Sequence, residues 1–270
     1  MKHLPNLLTL ANLFCGCIAI AYILTAQPYV YMSVGEHGDL PAWHWVYGKE
    51  QLYYGSIFIG IAAVCDMLDG FAARALNVHS PIGKDLDSLA DIVSFGVAPS
   101  FILFKFLWDA QMGEKNAFDV SMLSMAPAFL LACFGALRLA KFNITAATQK
   151  SYFIGMPIPA VGIFVASFPV ILWSTSGNIA HYIAVTLQNK WAIYLIIGLL
   201  CWFMVSGIKF FKMIPPKRTI AVAWPQLTLV VLSLASIPFL GVAAITFGFI
   251  LYILLSMVYK FPEPTTTTDL

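Results

Sequence analysis

Charged residues are scarce in this chain. They make up 10% of its 270 residues, whereas 60% of the residues are hydrophobic. A soluble domain carries about 25% charged residues, which cover its water-facing surface. The chain lacks the polar side chains for such a surface, and its mean hydropathy of +0.83 therefore indicates an integral membrane protein.

Basic runs and metal-binding cysteine motifs are absent as well. The net charge is only +2, and no Lys/Arg run could neutralise successive phosphates, so we expect no nucleic-acid partner. The five cysteines lie inside apolar stretches, without the CxxC or Cys/His spacing that is typical of zinc sites. We interpret them as small apolar side chains.

Long apolar stretches dominate what remains. A membrane-spanning helix needs about 20 apolar residues. Candidate spans cover approximately 5–25, 53–77, 85–107, 122–142, 156–174, 191–210, 220–237 and 240–259. The last two form one run that is too long for a single span, and Pro238 and Gly241 offer the break. The pattern predicts an all-α, polytopic helical bundle with about eight transmembrane helices.

The basic residues predict the orientation of this bundle. With eight spans and the N-terminus inside, the outer side receives only four of the 15 Lys and Arg residues, namely Lys49, Lys105, Lys115 and Lys190. Loops on the cytoplasmic side of membrane proteins carry an excess of basic residues. We therefore expect both termini to be cytoplasmic.

Acidic residues are concentrated at the ends of two neighbouring apolar stretches. Asp66 and Asp69 are three residues apart, and Asp87 and Asp91 are four apart. Residues with these spacings share one face of a helix. Each pair is therefore predicted to project from a single face of its own helix.

A short segment, 77–83, separates the two acidic pairs. It contains Pro81 and Gly83, which we expect to break the helix and form a turn. The two helices then make an antiparallel hairpin. At a rise of about 1.5 Å per residue, both pairs lie at a similar depth, so the four carboxylates are predicted to converge.

Four converging carboxylates in an apolar setting require compensation. A single charged side chain at the bilayer centre costs about 2.5–3.5 kcal/mol, and the nearby Arg74 and Lys84 are too few to balance the cluster. Carboxylate ligands suit Mg²⁺, Mn²⁺ or Ca²⁺ rather than zinc, and the first two commonly serve phosphate substrates. An acid-lined ion pathway or a buried salt-bridge network is the alternative interpretation.

The residues after the first acidic pair favour a phosphate ligand. Gly70 lacks a side chain and would let a ligand approach the backbone beside Asp69. Ala73 is small and extends the same open strip. Arg74 is placed to bind a phosphate with two parallel hydrogen bonds.

The acidic segment resembles the signature of the CDP-alcohol phosphatidyltransferase family, D-x-x-D-G-x-x-A-R-x8-G-x3-D-x3-D. All eight fixed positions are present as Asp66, Asp69, Gly70, Ala73, Arg74, Gly83, Asp87 and Asp91. With residue types used at about 7% each, such a match arises by chance less than about once in 10⁹ trials.

This resemblance implies a six-helix catalytic membrane core, usually dimeric, with an active site open to the cytoplasmic leaflet. Asp66, Asp69 and Asp87 would bind the Mg²⁺ or Mn²⁺ that holds the CDP pyrophosphate. Asp91 would contribute to the metal site and act as general base for the acceptor hydroxyl. The implied nucleotide-binding residues are Thr9, Asn12, Asp66, Gly70, Ala73, Arg74 and Gly83.

We assign residues 1–210 to this core, 211–260 to an additional C-terminal transmembrane hairpin and 261–270 to a disordered tail. Further segments resemble the phosphatidylserine synthase branch of the family. They lie at Pro5–Asn12, Ser94–Pro99, Leu137–Asn143 and Phe153–Pro159.

The branch resemblance implies transfer of a phosphatidyl group from CDP-diacylglycerol to L-serine, giving phosphatidylserine and CMP. It also implies a homodimer that lies in the cell (inner) membrane and is surrounded by lipid. Arg138 and Lys141 could hold the serine carboxylate. Lys141 stands where the branch commonly has Arg, which retains the charge but loses the planar fork. Glycerol 3-phosphate or inositol phosphate as acceptor, and a membrane cation transporter, are the alternatives.

Overall fold

The computed structural model describes residues 3–26, 29–33, 42–46, 49–76, 81–112, 121–145, 152–174, 178–212 and 220–259. The predicted tail and most of the predicted turn at 77–83 lie outside these residues. The described part of the chain is predominantly helical, as the apolar stretches predict. Its helices are α1 (Leu4–Thr25), α2 (Lys49–Ala75), α3 (Pro81–Asp91), α4 (Ala98–Met112), α5 (Met122–Met125), α6 (Leu130–Thr145), α7 (Ile158–Ser174), α8 (Asn178–Leu187), α9 (Lys190–Val205), α10 (Ile220–Leu240) and α11 (Ala244–Val258).

Several of these helices can cross a bilayer. Five segments of the described chain are long and apolar enough, and the bent pair α8–α9 makes a sixth if it is one span. They establish an all-α polytopic membrane architecture. The count of eight spans and the cytoplasmic location of both termini stay predictions.

Helix α1 turns one face toward the rest of the bundle. Its buried residues recur at intervals of three and four positions, which is the spacing of a single helical face; they are Pro5, Thr9, Asn12, Gly16, Ala19 and Ile23. Thr9 and Asn12 are therefore directed inward, together with small residues that allow close packing.

The acidic hairpin is present, although its turn differs from the prediction. Pro81 and Gly83, which we expected in the turn, lie in the first helical turn of α3. Proline has no backbone N–H to donate, and its fixed φ suits the first position of a helix. It therefore begins this helix instead of interrupting one.

A π-helical segment, Ile92–Val97, joins α3 to α4 directly after Asp91. Such segments are rare and occur frequently at functional sites. The side chain of Phe95 within it is fully buried, as are Ile102 and Leu103 of α4. The part of the chain that directly follows the second acidic pair therefore lies in the core of the bundle.

Two small antiparallel sheets accompany the helices. Strand β1 (Tyr29–Ser33) pairs with β2 (Ala42–Val46), and β3 (Tyr152–Ile154) pairs with β4 (Lys209–Phe211). These strands were not predicted from the sequence, because segments of three to five residues are too short to establish a periodic pattern.

The last two helices fold back on each other at the predicted break. Gly241 has a φ of +55°, which favours glycine, and it separates α10 from α11. A Cβ placed on Gly248 would lie 2.9 Å from the Ser233 hydroxyl. The two helices are therefore in close contact as a hairpin, which we call the C-terminal hairpin.

Gly16 is required for the contact between α1 and the π-helical segment. A Cβ at this position would lie 2.9 Å from the Cα of Ser94, a backbone atom that cannot move aside cheaply. We expect Gly16→Ala to lower the free energy of unfolding by about 1–3 kcal/mol through overpacking. Thermal unfolding of the purified protein in detergent measures the loss.

Gly60→Ala is the matched control, because a Cβ at Gly60 meets no atom within 4 Å. Alanine is the better helix former by about 0.5–1 kcal/mol, so this variant should melt at or above the temperature of the unmodified protein. Equal melting temperatures for Gly16→Ala and the unmodified protein would contradict the proposed close contact.

Candidate active site

The four aspartates converge between α2 and α3, as their spacing predicts. Carboxylate oxygens of Asp66, Asp69 and Asp87 all lie within 4.8 Å of one another. Asp91 completes the group, since its carboxyl is within hydrogen-bonding reach of Asp66. We call these four residues the aspartate cluster.

The members of the aspartate cluster differ in their exposure. Asp69 and Asp91 are buried, with 6% and 7% of their surface exposed, whereas Asp66 and Asp87 are only half-buried. Asp91 lies one helical turn deeper along α3 than Asp87. One side of the cluster is therefore open to a ligand, and the other is enclosed by protein.

Helix α1 supplies hydrogen bonds that hold two of the carboxylates. The Thr9 hydroxyl donates to Asp69 Oδ2 at 2.7 Å, and Asn12 Nδ2 donates to Asp91 Oδ1 at 3.4 Å. Both donors are buried. The predicted nucleotide contacts Thr9 and Asn12 thus also orient the acids, which the sequence analysis did not anticipate.

Ser94 is a further site residue that the sequence analysis did not assign a role. Its hydroxyl donates to the backbone carbonyl of Asn12 at 3.0 Å. The π-helical segment turns Ser94 toward α1, and Gly16 gives it room. The signal in the sequence is the segment Ser94–Pro99, but a regular helix would direct its side chains differently.

The charge of the aspartate cluster is not balanced by the neighbouring basic residues that the sequence analysis considered. Lys84 Nζ donates to the backbone carbonyl of Asn143 at 3.0 Å, near the end of α6. The guanidinium of Arg74 lies over Gly70, 3.5 Å from where a Cβ on that glycine would be. Three clustered carboxylates are hard oxygen donors, and this donor set fits a divalent cation such as Mg²⁺ or Mn²⁺.

The strip predicted to face the nucleotide is open on α2. Gly70 and Ala73 are half-buried, and Arg74 is exposed beside them. Gly83 lies in the first turn of α3. A phosphate placed over Gly70 would reach both the Arg74 guanidinium and the open side of the aspartate cluster.

The two basic residues predicted to hold the acceptor are in different environments. Arg138 is 6% exposed and close enough to Asp91 for the two charges to attract. Its guanidinium lies over the rings of Phe142 and Phe153, with centroids at 5.1 and 5.6 Å. Lys141 is exposed on the same helix. Only Arg138 is therefore enclosed beside the cluster.

Comparison with known proteins agrees with this geometry. The family model of CDP-alcohol phosphatidyltransferase matches residues 2–202, which is most of the chain. This chain belongs to the CDP-alcohol phosphatidyltransferase family. The matched region includes the whole aspartate cluster, together with Thr9, Asn12 and Arg138.

Three curated relatives share the name CDP-diacylglycerol–serine O-phosphatidyltransferase. The relative from Helicobacter pylori is 30% identical over 207 residues, covering 76% of this chain and 70% of the relative. The relative from Bacillus subtilis is 31% identical over 163 residues, covering 60% and 73%. The relative from Saccharomyces cerevisiae is 36% identical over 169 residues, covering 58% and 50%.

Metal binding can be tested without a catalytic assay. We expect Asp69→Asn to abolish tight Mn²⁺ binding, because it removes one of three clustered carboxylates. Thr9→Val should weaken binding by about 10–100-fold, since it removes only the hydroxyl that orients Asp69. Electron paramagnetic resonance of Mn²⁺ titrated into the purified protein measures both effects.

Thr25→Val is a matched control on the same helix, because the Thr25 hydroxyl bonds to the backbone carbonyl of Tyr22 far from the cluster. Its Mn²⁺ affinity should equal that of the unmodified protein. Unchanged affinity in Asp69→Asn would show that the aspartates do not hold the ion.

Proposed function

We propose that this protein transfers the phosphatidyl group of CDP-diacylglycerol to the hydroxyl of L-serine, giving phosphatidylserine and CMP. The convergence of the aspartate cluster, in a member of the CDP-alcohol phosphatidyltransferase family, carries this proposal. The shared name of the curated relatives supports serine as the acceptor. A cation pathway is disfavoured, because the family match includes the cluster itself.

Asp66, Asp69 and Asp87 would hold the metal ion. When bound, Mg²⁺ or Mn²⁺ neutralises the pyrophosphate and stabilises the departing CMP. Thr9 keeps the Asp69 carboxylate in place through its 2.7 Å hydrogen bond. Gly70, Ala73, Arg74 and Gly83 would line the nucleotide side, where Arg74 can bind a phosphate oxygen pair.

Asp91 is the proposed general base. Serine's hydroxyl is a weak nucleophile, and a positioned base contributes typically about 10²–10⁴-fold to such a reaction. The serine oxygen bonds to the phosphorus that carries the diacylglycerol, its proton passes to Asp91, and the bond from that phosphorus to CMP breaks. Asn12 holds one oxygen of Asp91 and so fixes the direction from which the base acts.

Arg138 is suited to the carboxylate of serine. It is buried next to Asp91, and its Nε has no hydrogen-bond partner among the described residues. A carboxylate would satisfy this group and place the serine hydroxyl toward the base. Lys141 is exposed one turn away and would attract the same anion from solution.

The basic residues support a placement in the membrane. Arg74 and Arg138 lie in the C-terminal halves of α2 and α6, and Lys84 at the start of α3 donates to the carbonyl of Asn143 near the end of α6. We propose that these helix ends face the cytoplasm, in a homodimer of the cell membrane with eight spans and both termini cytoplasmic. CDP-diacylglycerol would then enter sideways from lipid, while serine and CMP exchange with the cytoplasm.

Release of CMP from CDP-diacylglycerol, with and without serine, tests the reaction. We expect release to require serine and to match the phosphatidylserine formed. Asp91→Asn should reduce turnover at least about 100-fold while retaining CDP-diacylglycerol binding, because only the base is lost.

Asp85→Asn is the control, since Asp85 is exposed on α3 outside the cluster, and its turnover should be unchanged. Near-normal turnover of Asp91→Asn would reject Asp91 as the base. CMP release that responds to glycerol 3-phosphate or inositol phosphate, and not to serine, would reject the proposed acceptor.

Arg138→Lys tests the acceptor contact. Lysine keeps the charge but cannot reproduce the planar fork, so we expect the KM for serine to rise about tenfold or more with little change in the KM for CDP-diacylglycerol. Lys141→Met should have a smaller effect, because Lys141 is exposed. An increase confined to the KM for CDP-diacylglycerol would instead assign Arg138 to the nucleotide lipid.

A further inference from the structure

The C-terminal hairpin is built into the bundle, although it lies beyond residues 2–202 that match the family model. The rings of Phe249 in α11 and Phe164 in α7 are stacked with centroids 4.0 Å apart. The hydroxyls of Thr246 and Ser167 are 2.8 Å apart. The hairpin is therefore fixed against α7 through both apolar and polar contacts.

Each helix of the hairpin also holds the segment that contains β4. The Tyr252 hydroxyl in α11 donates to the backbone carbonyl of Phe211 at 3.1 Å, and its ring packs edge-on against the Phe211 ring. Gln226 Nε2 in α10 donates to the carbonyl of Lys212 at 2.8 Å. Two consecutive residues are thus held from two different helices.

The segment Phe210–Lys212, which the hairpin holds, is connected to Arg138 through strand β3. Strand β4 pairs with β3, in which Phe153 lies opposite Phe210. The Lys212 ammonium and the Arg138 guanidinium both lie over the Phe153 ring, 5.0 and 5.6 Å from its centroid. The Phe153 ring therefore contacts both the held segment and Arg138.

Gly155 fixes the other end of this small sheet. The φ of Gly155 is +77°, and its N–H donates to the carbonyl of Ile208 at 2.9 Å. A Cβ at this position would collide with the carbonyl of Met204. The β3–β4 sheet is consequently attached to the end of α9 on one side and to the C-terminal hairpin on the other. Its position depends on both attachments.

The buried guanidinium of Arg138 has a hydrogen-bond donor left for a ligand. Arg138 is 6% exposed, and its Nε has no hydrogen-bond partner in the described part of the chain. A carboxylate beside Arg138 would supply the missing acceptor.

We infer that Tyr252, assisted by Gln226, is a positioning residue that holds the β3–β4 sheet and Arg138 for a carboxylate-bearing acceptor. This inference rests on the proposed function, which it extends to helices beyond the family match. Tyr252 is buried and close enough to Arg138 for its phenol and the guanidinium to interact.

Tyr252→Phe removes the hydroxyl and keeps the ring. We expect the KM for serine to rise about threefold to tenfold, the range for one lost hydrogen bond, with kcat and the KM for CDP-diacylglycerol nearly unchanged. Gln226→Leu should have the same effect, because it removes the bond to Lys212. The second variant provides an independent measurement if the first folds poorly.

Tyr194→Phe is the matched control. The Tyr194 hydroxyl donates to the carbonyl of Ser124 at 2.5 Å, so this variant also loses one phenol-to-carbonyl bond, but on α9 away from the β3–β4 sheet. Both tyrosine variants should show similar losses in Tm. Of these two tyrosine variants, only Tyr252→Phe should raise the KM for serine.

The outcomes separate this inference from the proposed function. An unmodified enzyme whose CMP release ignores serine would overturn both. Serine-dependent release, with a KM for serine in Tyr252→Phe and Gln226→Leu within twofold of the unmodified enzyme, would overturn the inference alone. An equal rise in the KM for both substrates would also overturn it, because the hairpin would then have a general structural role.

Discussion

The mutual repulsion of four carboxylates is the constraint on which the rest of this structure depends. Asp66, Asp69 and Asp87 have oxygens within 4.8 Å of one another, and Asp91 adjoins them. In a protein that is 60% hydrophobic, such a cluster is unfavourable unless a cation or a ligand completes it. The surrounding helices hold the carboxylates together despite this repulsion.

Different helices stabilise the aspartate cluster through different contacts. Helix α1 donates hydrogen bonds from Thr9 and Asn12, and the π-helical segment brings Ser94 onto the backbone of α1. The narrow spacing between these elements depends on Gly16. The proposed metal site and the proposed general base therefore rely on packing between helices that are distant in the sequence.

The proposed acceptor side is constructed differently, from the ends of helices and a short sheet. Arg138 is held by aromatic rings instead of by acidic partners alone, and one of these rings belongs to β3. Aromatic faces attract a guanidinium while leaving its N–H groups available to a ligand. This arrangement suits a small, zwitterionic acceptor that must bind and leave at every turnover.

The sequence alone predicts the membrane class, the family and the convergence of Asp66 and Asp69 with Asp87 and Asp91, because hydropathy, the signature motif and helical spacing are local properties. It could not determine that Pro81 begins α3, that Arg138 is buried while Lys141 is exposed, or that Tyr252 lies near Arg138. These features depend on contacts between segments far apart in the chain. Only tertiary packing decides them, since no local period encodes which distant side chain fills a given space.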